Sequence, residues 1–112
     1  MAEGFEKTIE YLRVSDGNHP CANWLDQRDK TARARIQAAI DKVSRGLRKL
    51  VKPLGDGVFE IKIDFARGYR IYFGEDGPKI IVLIFGGDKT SQTEDIKTAK
   101  ALWRDYEKNK KL

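Results

Sequence analysis

Val58-Phe59-Glu60-Ile61-Lys62-Ile63-Asp64-Phe65, then Tyr69-Arg70-Ile71-Tyr72-Phe73, then Ile80-Ile81-Val82-Leu83-Ile84-Phe85, is a run in which apolar residues recur at the period of a strand. In the first segment Phe59, Ile61, Ile63 and Phe65 fall on one face and Glu60, Lys62 and Asp64 on the other, because successive strand side chains point to opposite sides. It therefore reads as a strand with a core face and a charged face. The second segment reads as a neighbouring strand, and Gly74-Glu75-Asp76-Gly77-Pro78 supplies turn residues for a hairpin. The third has no polar alternation, so it is expected to be covered on both faces, as a central strand is.

Upstream of this sheet the period is helical. Trp24, Leu25, Ala32, Ile36, Ala39, Ile40, Val43, Leu47 and Leu50 recur at three- and four-residue steps between Cys21 and Leu50. The pattern predicts a short helix and then a longer one, jointed near Asp29-Lys30-Thr31, with Thr31 as cap and Gly46 as terminator. Pro20 opens the first helix after the turn-forming run Ser15 to His19, and Phe5 to Arg13 reads as a half-exposed strand. Downstream, Ser91-Gln92-Thr93-Glu94 fits a capping box and predicts a helix with the stripe Ile96, Ala99, Leu102, Trp103 and Tyr106, fraying at Lys108 to Lys111. The expected order is β-α-α-β-β-β-α, one α+β domain over residues 1–112 with a mainly antiparallel sheet packed against helices.

Composition bounds the function. The chain has 112 residues, 22 Lys or Arg against 17 Asp or Glu, and a formal net charge of +5. A hydrophobic content of 40% suffices for a core at this length and argues against native disorder. The longest apolar run, Ile80 to Phe85, falls well short of the roughly 20 residues that span a bilayer. One cysteine, Cys21, and no leader-like N-terminal segment predict a reducing cytoplasmic setting. Basicity of this degree raises the expectation of a polyanionic partner.

Neither a cofactor nor a metal is expected. His19 and Cys21, the lone His and Cys, cannot complete a zinc site, and Gly86-Gly87-Asp88-Lys89-Thr90 lacks the spacing of a phosphate-binding loop. The informative charges are on the strands. Glu60 and Lys62 project from one face about 7 Å apart; Arg70 lies on the next strand, and Lys89 follows the last one. Charges on an outer strand face are ordinarily only solvated. The same four residues nevertheless have what metal-free RNA cleavage requires: a base for the ribose 2′-hydroxyl (Glu60 or Lys62), a forked clamp for the phosphate (Arg70) and a second cation (Lys89). Arg45, Arg48, Lys49 and Lys52, with Arg67 between the strands, are the candidate contacts to an RNA or ribosomal-RNA backbone, although a basic helix face is often just a wet one. Trp24, Trp103, Phe59 and Phe65 sit at core-periodic positions and read as core rather than as stacking platforms.

The blocks Gly68-Tyr69-Arg70-Ile71-Tyr72-Phe73 and Gly86-Gly87-Asp88-Lys89, with Gly57 to Phe65 before them and Asp95-Ile96 and Ala99-Lys100-Ala101 after, resemble the RelE/ParE toxin superfamily, nearest to its addiction-module killer, HigB-like branch. That resemblance implies a RelE-like domain acting as the toxin of a type II toxin-antitoxin system, an endoribonuclease that cuts mRNA on the ribosome. It also implies a cognate antitoxin, often a helix-turn-helix protein, through which alone operator DNA is contacted. The family's phosphate-binding arginine falls on Arg70, its cation after the central strand on Lys89, and its strand pair on Glu60 and Lys62. RelE itself has lysine at both strand positions and a tyrosine in its C-terminal segment, whereas this chain has Glu60 at one strand position and no tyrosine near Asp95 and Ile96. ParE, with the same fold, implies the alternative of a non-nucleolytic inhibitor of DNA gyrase, and an attenuated toxin acting chiefly as antitoxin-binding corepressor is a third.

Overall fold

The computed structural model describes residues 6–110. Strand β1 (Thr8–Tyr11) is followed by helices α1 (Pro20–Asp26) and α2 (Lys30–Ser44). Strands β2 (Val51–Gly55), β3 (Val58–Ile63), β4 (Tyr69–Asp76) and β5 (Ile80–Gly87) follow, then a 3-10 turn (Lys89–Ser91) and helix α3 (Gln92–Lys110). The strands form one sheet in the order β1-β5-β4-β3-β2, in which β1 runs parallel to β5 and the other pairs are antiparallel. This is the expected α+β architecture with one strand more than the sequence pattern predicts.

The additional strand is β2. Lys52-Pro53-Leu54-Gly55 carries neither alternation nor β-branched residues after Val51, and it is a strand because it lies at the sheet edge, where Pro53 needs no outward donor. Its pairing also ends the helical segment early. Helix α2 stops at Ser44 in a Schellman turn, with Gly46 at φ +93 and Leu47 N–H donating to the Lys42 carbonyl at 2.9 Å. Gly46 thus acts as expected, whereas Leu47 and Leu50 lie beyond the helix and are exposed.

Three other local expectations are corrected. Asp29, not Thr31, caps α2, its carboxylate accepting from Ala32 N at 2.8 Å. The Ser91 box does not form: Ser91 Oγ bonds to Asp95, and Asp88 caps the 3-10 turn by accepting from Thr90 N at 2.9 Å. The Lys108–Lys110 segment stays helical, with Lys110 paired to Asp76, while Lys111 lies outside the described residues, as does the Phe5 start of the first predicted strand.

Strand β4 continues through Gly74 to Asp76, so the hairpin turn begins at Gly77. Gly74 serves packing within the strand and not the turn. Trp103 of α3 lies flat on Gly74, where a Cβ would sit 2.5 Å from its ring.

The sheet buries both faces. On one, α1 and α2 cover Ile61, Ile71, Phe73, Ile81 and Leu83 with Leu25, Ile36 and Ile40. On the other, α3 covers Val58, Tyr72, Val82 and Ile84 with Ala99 and Trp103. Strand β5 alternates between the two cores from Ile80 to Ile84 and is buried from Ile81 to Ile84, as its apolar run predicts, with Ile80 and Phe85 partly buried at its ends. Strand β3 is enclosed further than its pattern suggests, because α3 closes over the Val58 and Glu60 end of what reads as a charged face.

Candidate functional site

Register brings the strand-borne charges together. In the antiparallel pair β3/β4, Glu60 lies opposite Tyr72 and Lys62 opposite Arg70, and directly opposed residues share a face. The same rows continue to Lys52 on β2 and to Phe85 and Gly87 on β5. All of these lie on the α3 side of the sheet.

Glu60 and Arg70 form the buried centre, at 4% and 7% exposure. Arg70 Nε lies 3.7 Å from Glu60 Oε2, an ion pair without a hydrogen bond, while Arg70 Nη1 donates to the Gly68 carbonyl at 3.1 Å. The other Glu60 oxygen accepts from Gln92 Nε2 at 2.8 Å, tying the start of α3 to β3. A carboxylate and a backbone carbonyl therefore aim the guanidinium. Lys89 reaches the same place from the end of β5: a Cβ on Gly68 would lie 3.5 Å from both Arg70 Nη1 and Lys89 Cβ. Gly68, at φ +71, makes the turn that lets both side chains approach. Lys62 and Lys89 are exposed, so two ammonium groups open to solvent accompany one buried guanidinium.

The surroundings are polar in a way that periodicity alone does not show. Tyr72 is fully buried beneath α3, and neither its hydroxyl nor Arg70 Nε has a hydrogen-bond partner among the described residues. Burial, reinforced by the Glu60 and Asp95 carboxylates, pushes the Tyr72 hydroxyl well above its ordinary range, so it stays protonated. Asp95 packs into the space that Gly87 leaves without a side chain, and its burial pushes its carboxyl up despite the bond from Ser91. Asp88 is held below the ordinary range, chiefly by the Thr90 hydroxyl. Tyr72 is not among the sequence candidates, although its place two residues from Arg70 on one strand puts it on the same face, and only the fold brings in Gln92 and Asp95.

The five candidate RNA contacts do not form one surface. Lys52 lies opposite Glu60, and Arg67 stands 3.8 Å from Asp88 with its carbonyl accepting from Lys89 N, so both belong beside the cluster. Arg45 pairs with Asp41 at 3.0 Å on α2. Arg48 is bound to Glu75 and lies over the Phe59 and Phe73 rings on the α2 side, and Lys49 borders the same side. Cys21 is buried, with its thiol pushed up to about 12 by desolvation, which makes it a core residue and not a nucleophile. Among the described residues no three of His, Cys, Asp and Glu gather as metal ligands, and no helix is long and apolar enough to cross a membrane.

Residues 23–106 match the family model of the phage-derived Gp49-like proteins (DUF891). The chain belongs to this family, which is of the RelE toxin-like type. It is similar to a protein of Haemophilus influenzae that carries no functional description, with 38% identity over 81 residues, covering 71% of this chain and 82% of that protein.

Proposed function

We propose that the chain is a HigB-like toxin of a type II toxin-antitoxin system, a metal-independent endoribonuclease that cuts mRNA on the ribosome. The observation that carries this reading is the gathering of Lys62, Arg70 and Lys89 around the buried Glu60 on one sheet face. Arg70, aimed by Glu60 and the Gly68 carbonyl, holds the scissile phosphate, and Lys62 and Lys89 neutralise the charge that builds on it. Glu60 or Lys62 takes the proton of the 2′-hydroxyl. The 2′-oxygen then attacks phosphorus and the P–O5′ bond breaks as the 5′-oxygen takes a proton from the Lys89 ammonium, which gives a 2′,3′-cyclic phosphate and a 5′-hydroxyl. Lys52 and Arg67 hold flanking phosphates, and a cognate antitoxin restrains the activity.

Sequencing of RNA 5′ ends after induction without the antitoxin tests this reading. New ends within translated mRNA are expected with the wild type, and loss of on the order of 10²-fold in cleavage with Lys89→Ala, the scale of one electrostatic or acid-base contribution. Intact mRNA with DNA damage would support the gyrase alternative, and unimpaired growth the attenuated one. Either result defeats the endoribonuclease assignment.

A further inference from the structure

Behind the cluster, on the opposite face of the sheet, α2 and β3 enclose a groove of about 510 Å³. Its walls are apolar: Val43, Ile61, Ile63 and Phe65 line it, and Ala38 and Ala39 keep the α2 wall low. At its mouth stand Leu47 and Leu50, 56% and 47% exposed, the two large apolar side chains most open to water among the described residues. Neither has a role in the fold's two cores. Strand β2 does not cover them, since its pairing with β3 starts at Val51 opposite Ile61.

The rim is basic. Arg35, lying 4.6 Å over the Phe65 ring, and Lys42 and Lys49 surround the groove, against Asp64 as the acidic residue of the wall. None of these three cations has a carboxylate within 4.0 Å among the described residues, unlike Arg45, Arg48 and Arg67, which are all paired. An apolar trough between unpaired cations is complementary to an apolar stripe between carboxylates. The α2 wall from Arg35 to Val43 is roughly 12 Å long, two turns of helix, and its alanines allow a second helix axis to approach closely.

We infer that this groove is the docking site for an acidic amphipathic helix of a partner protein. Its apolar residues, at i, i+3 or i+4 and i+7, seat against Leu47, Leu50 and Ile63. Its carboxylates meet Arg35, Lys42 and Lys49. Resting on the toxin reading above, that partner is the antitoxin. The docked helix lies directly behind Lys62, whose strand neighbours Ile61 and Ile63 form the groove wall, and it leaves the face bearing Lys62 and Arg70 open.

The test measures affinity between the full chain and the protein encoded by the adjoining open reading frame, by titration calorimetry. Leu47→Ser with Leu50→Ser, and separately Lys42→Glu with Lys49→Glu, are each expected to weaken binding at least tenfold, with circular dichroism and Tm retained because all four positions are exposed. Lys62→Ala is expected to bind as the wild type does. Wild-type affinity in both groove variants overturns the inference and leaves the toxin reading standing. Loss of binding at Lys62→Ala alone places the partner on the other face, which also overturns the groove and spares the toxin reading. No binding by the wild type overturns the toxin reading itself and the assignment of the partner with it.

Discussion

Arg70 is buried against Glu60, so its removal strands a carboxylate in a closed site. Arg70→Ala is expected to cost roughly 3–5 kcal/mol of stability, as the breaking of a buried pair does. Lys62→Ala and Lys89→Ala, both exposed, are expected to stay within about 0.5 kcal/mol of the wild type. Denaturant titration separates the two cases, and a stable Arg70→Ala would show that the pair does not organise the site. Glu75 presents the complementary case. Burial raises its carboxyl, but hydrogen bonds from Lys7 and Arg48 outweigh burial and hold it below the ordinary range. A carboxylate with a lowered folded pKa contributes stability that is full above its unfolded value and is lost as pH falls through the folded one. Glu75→Gln is therefore expected to lower stability by about 1–2 kcal/mol at pH 7, and to match the wild type once the pH is below the folded value. Equal acid limbs for the two proteins in calorimetric melts would refute this. At this scale the alternation of β3 made the shared face of Glu60 and Lys62 legible. The burial of Glu60 was not legible, since it depends on a helix more than thirty residues away in the chain.

Capping and edge pairing decide what the elements do. Thr31 and Asp29 are both reasonable caps by residue type, and the choice falls to Asp29 because its carboxylate reaches Ala32 N from outside the first turn. Asp29→Ala is accordingly expected to cost about 1 kcal/mol, and Thr31→Ala a few tenths at most. The reverse order in thermal melts would return the cap to Thr31. The strong periods of α2, β3, β5 and α3 were readable because each buries a stripe or a face. Strand β2 was not, because an edge strand half open to water has no burial pattern to display, and Pro53 and Gly55 are ordinary loop residues elsewhere. Gly74 likewise reads as a turn until Trp103 is seen resting on it.

At the scale of the molecule, the sheet separates the positive surplus into two groups. One face holds Lys62, Arg70 and Lys89 with Lys52 and Arg67 beside them; the other holds the basic rim of an apolar groove. Net charge alone could not distinguish these: of the basic run that reads as a candidate RNA contact, the fold pairs Arg45 with Asp41 and Arg48 with Glu75 and sets Lys49 at the groove. Family membership fixes the toxin-like type, and the chemistry of the α3-side face is what remains to be measured. Purified ribosomes carrying a defined mRNA, incubated with wild-type protein, Lys62→Ala and Lys89→Ala, test it most directly, with products mapped by primer extension and their termini identified. The expected result is cleavage of ribosome-bound mRNA by the wild type, leaving a 2′,3′-cyclic phosphate, and a loss on the order of 10²-fold or more in the folded variants. Intact mRNA with the wild type, or equal cleavage by all three proteins, would contradict the assignment of this face as a ribonuclease site.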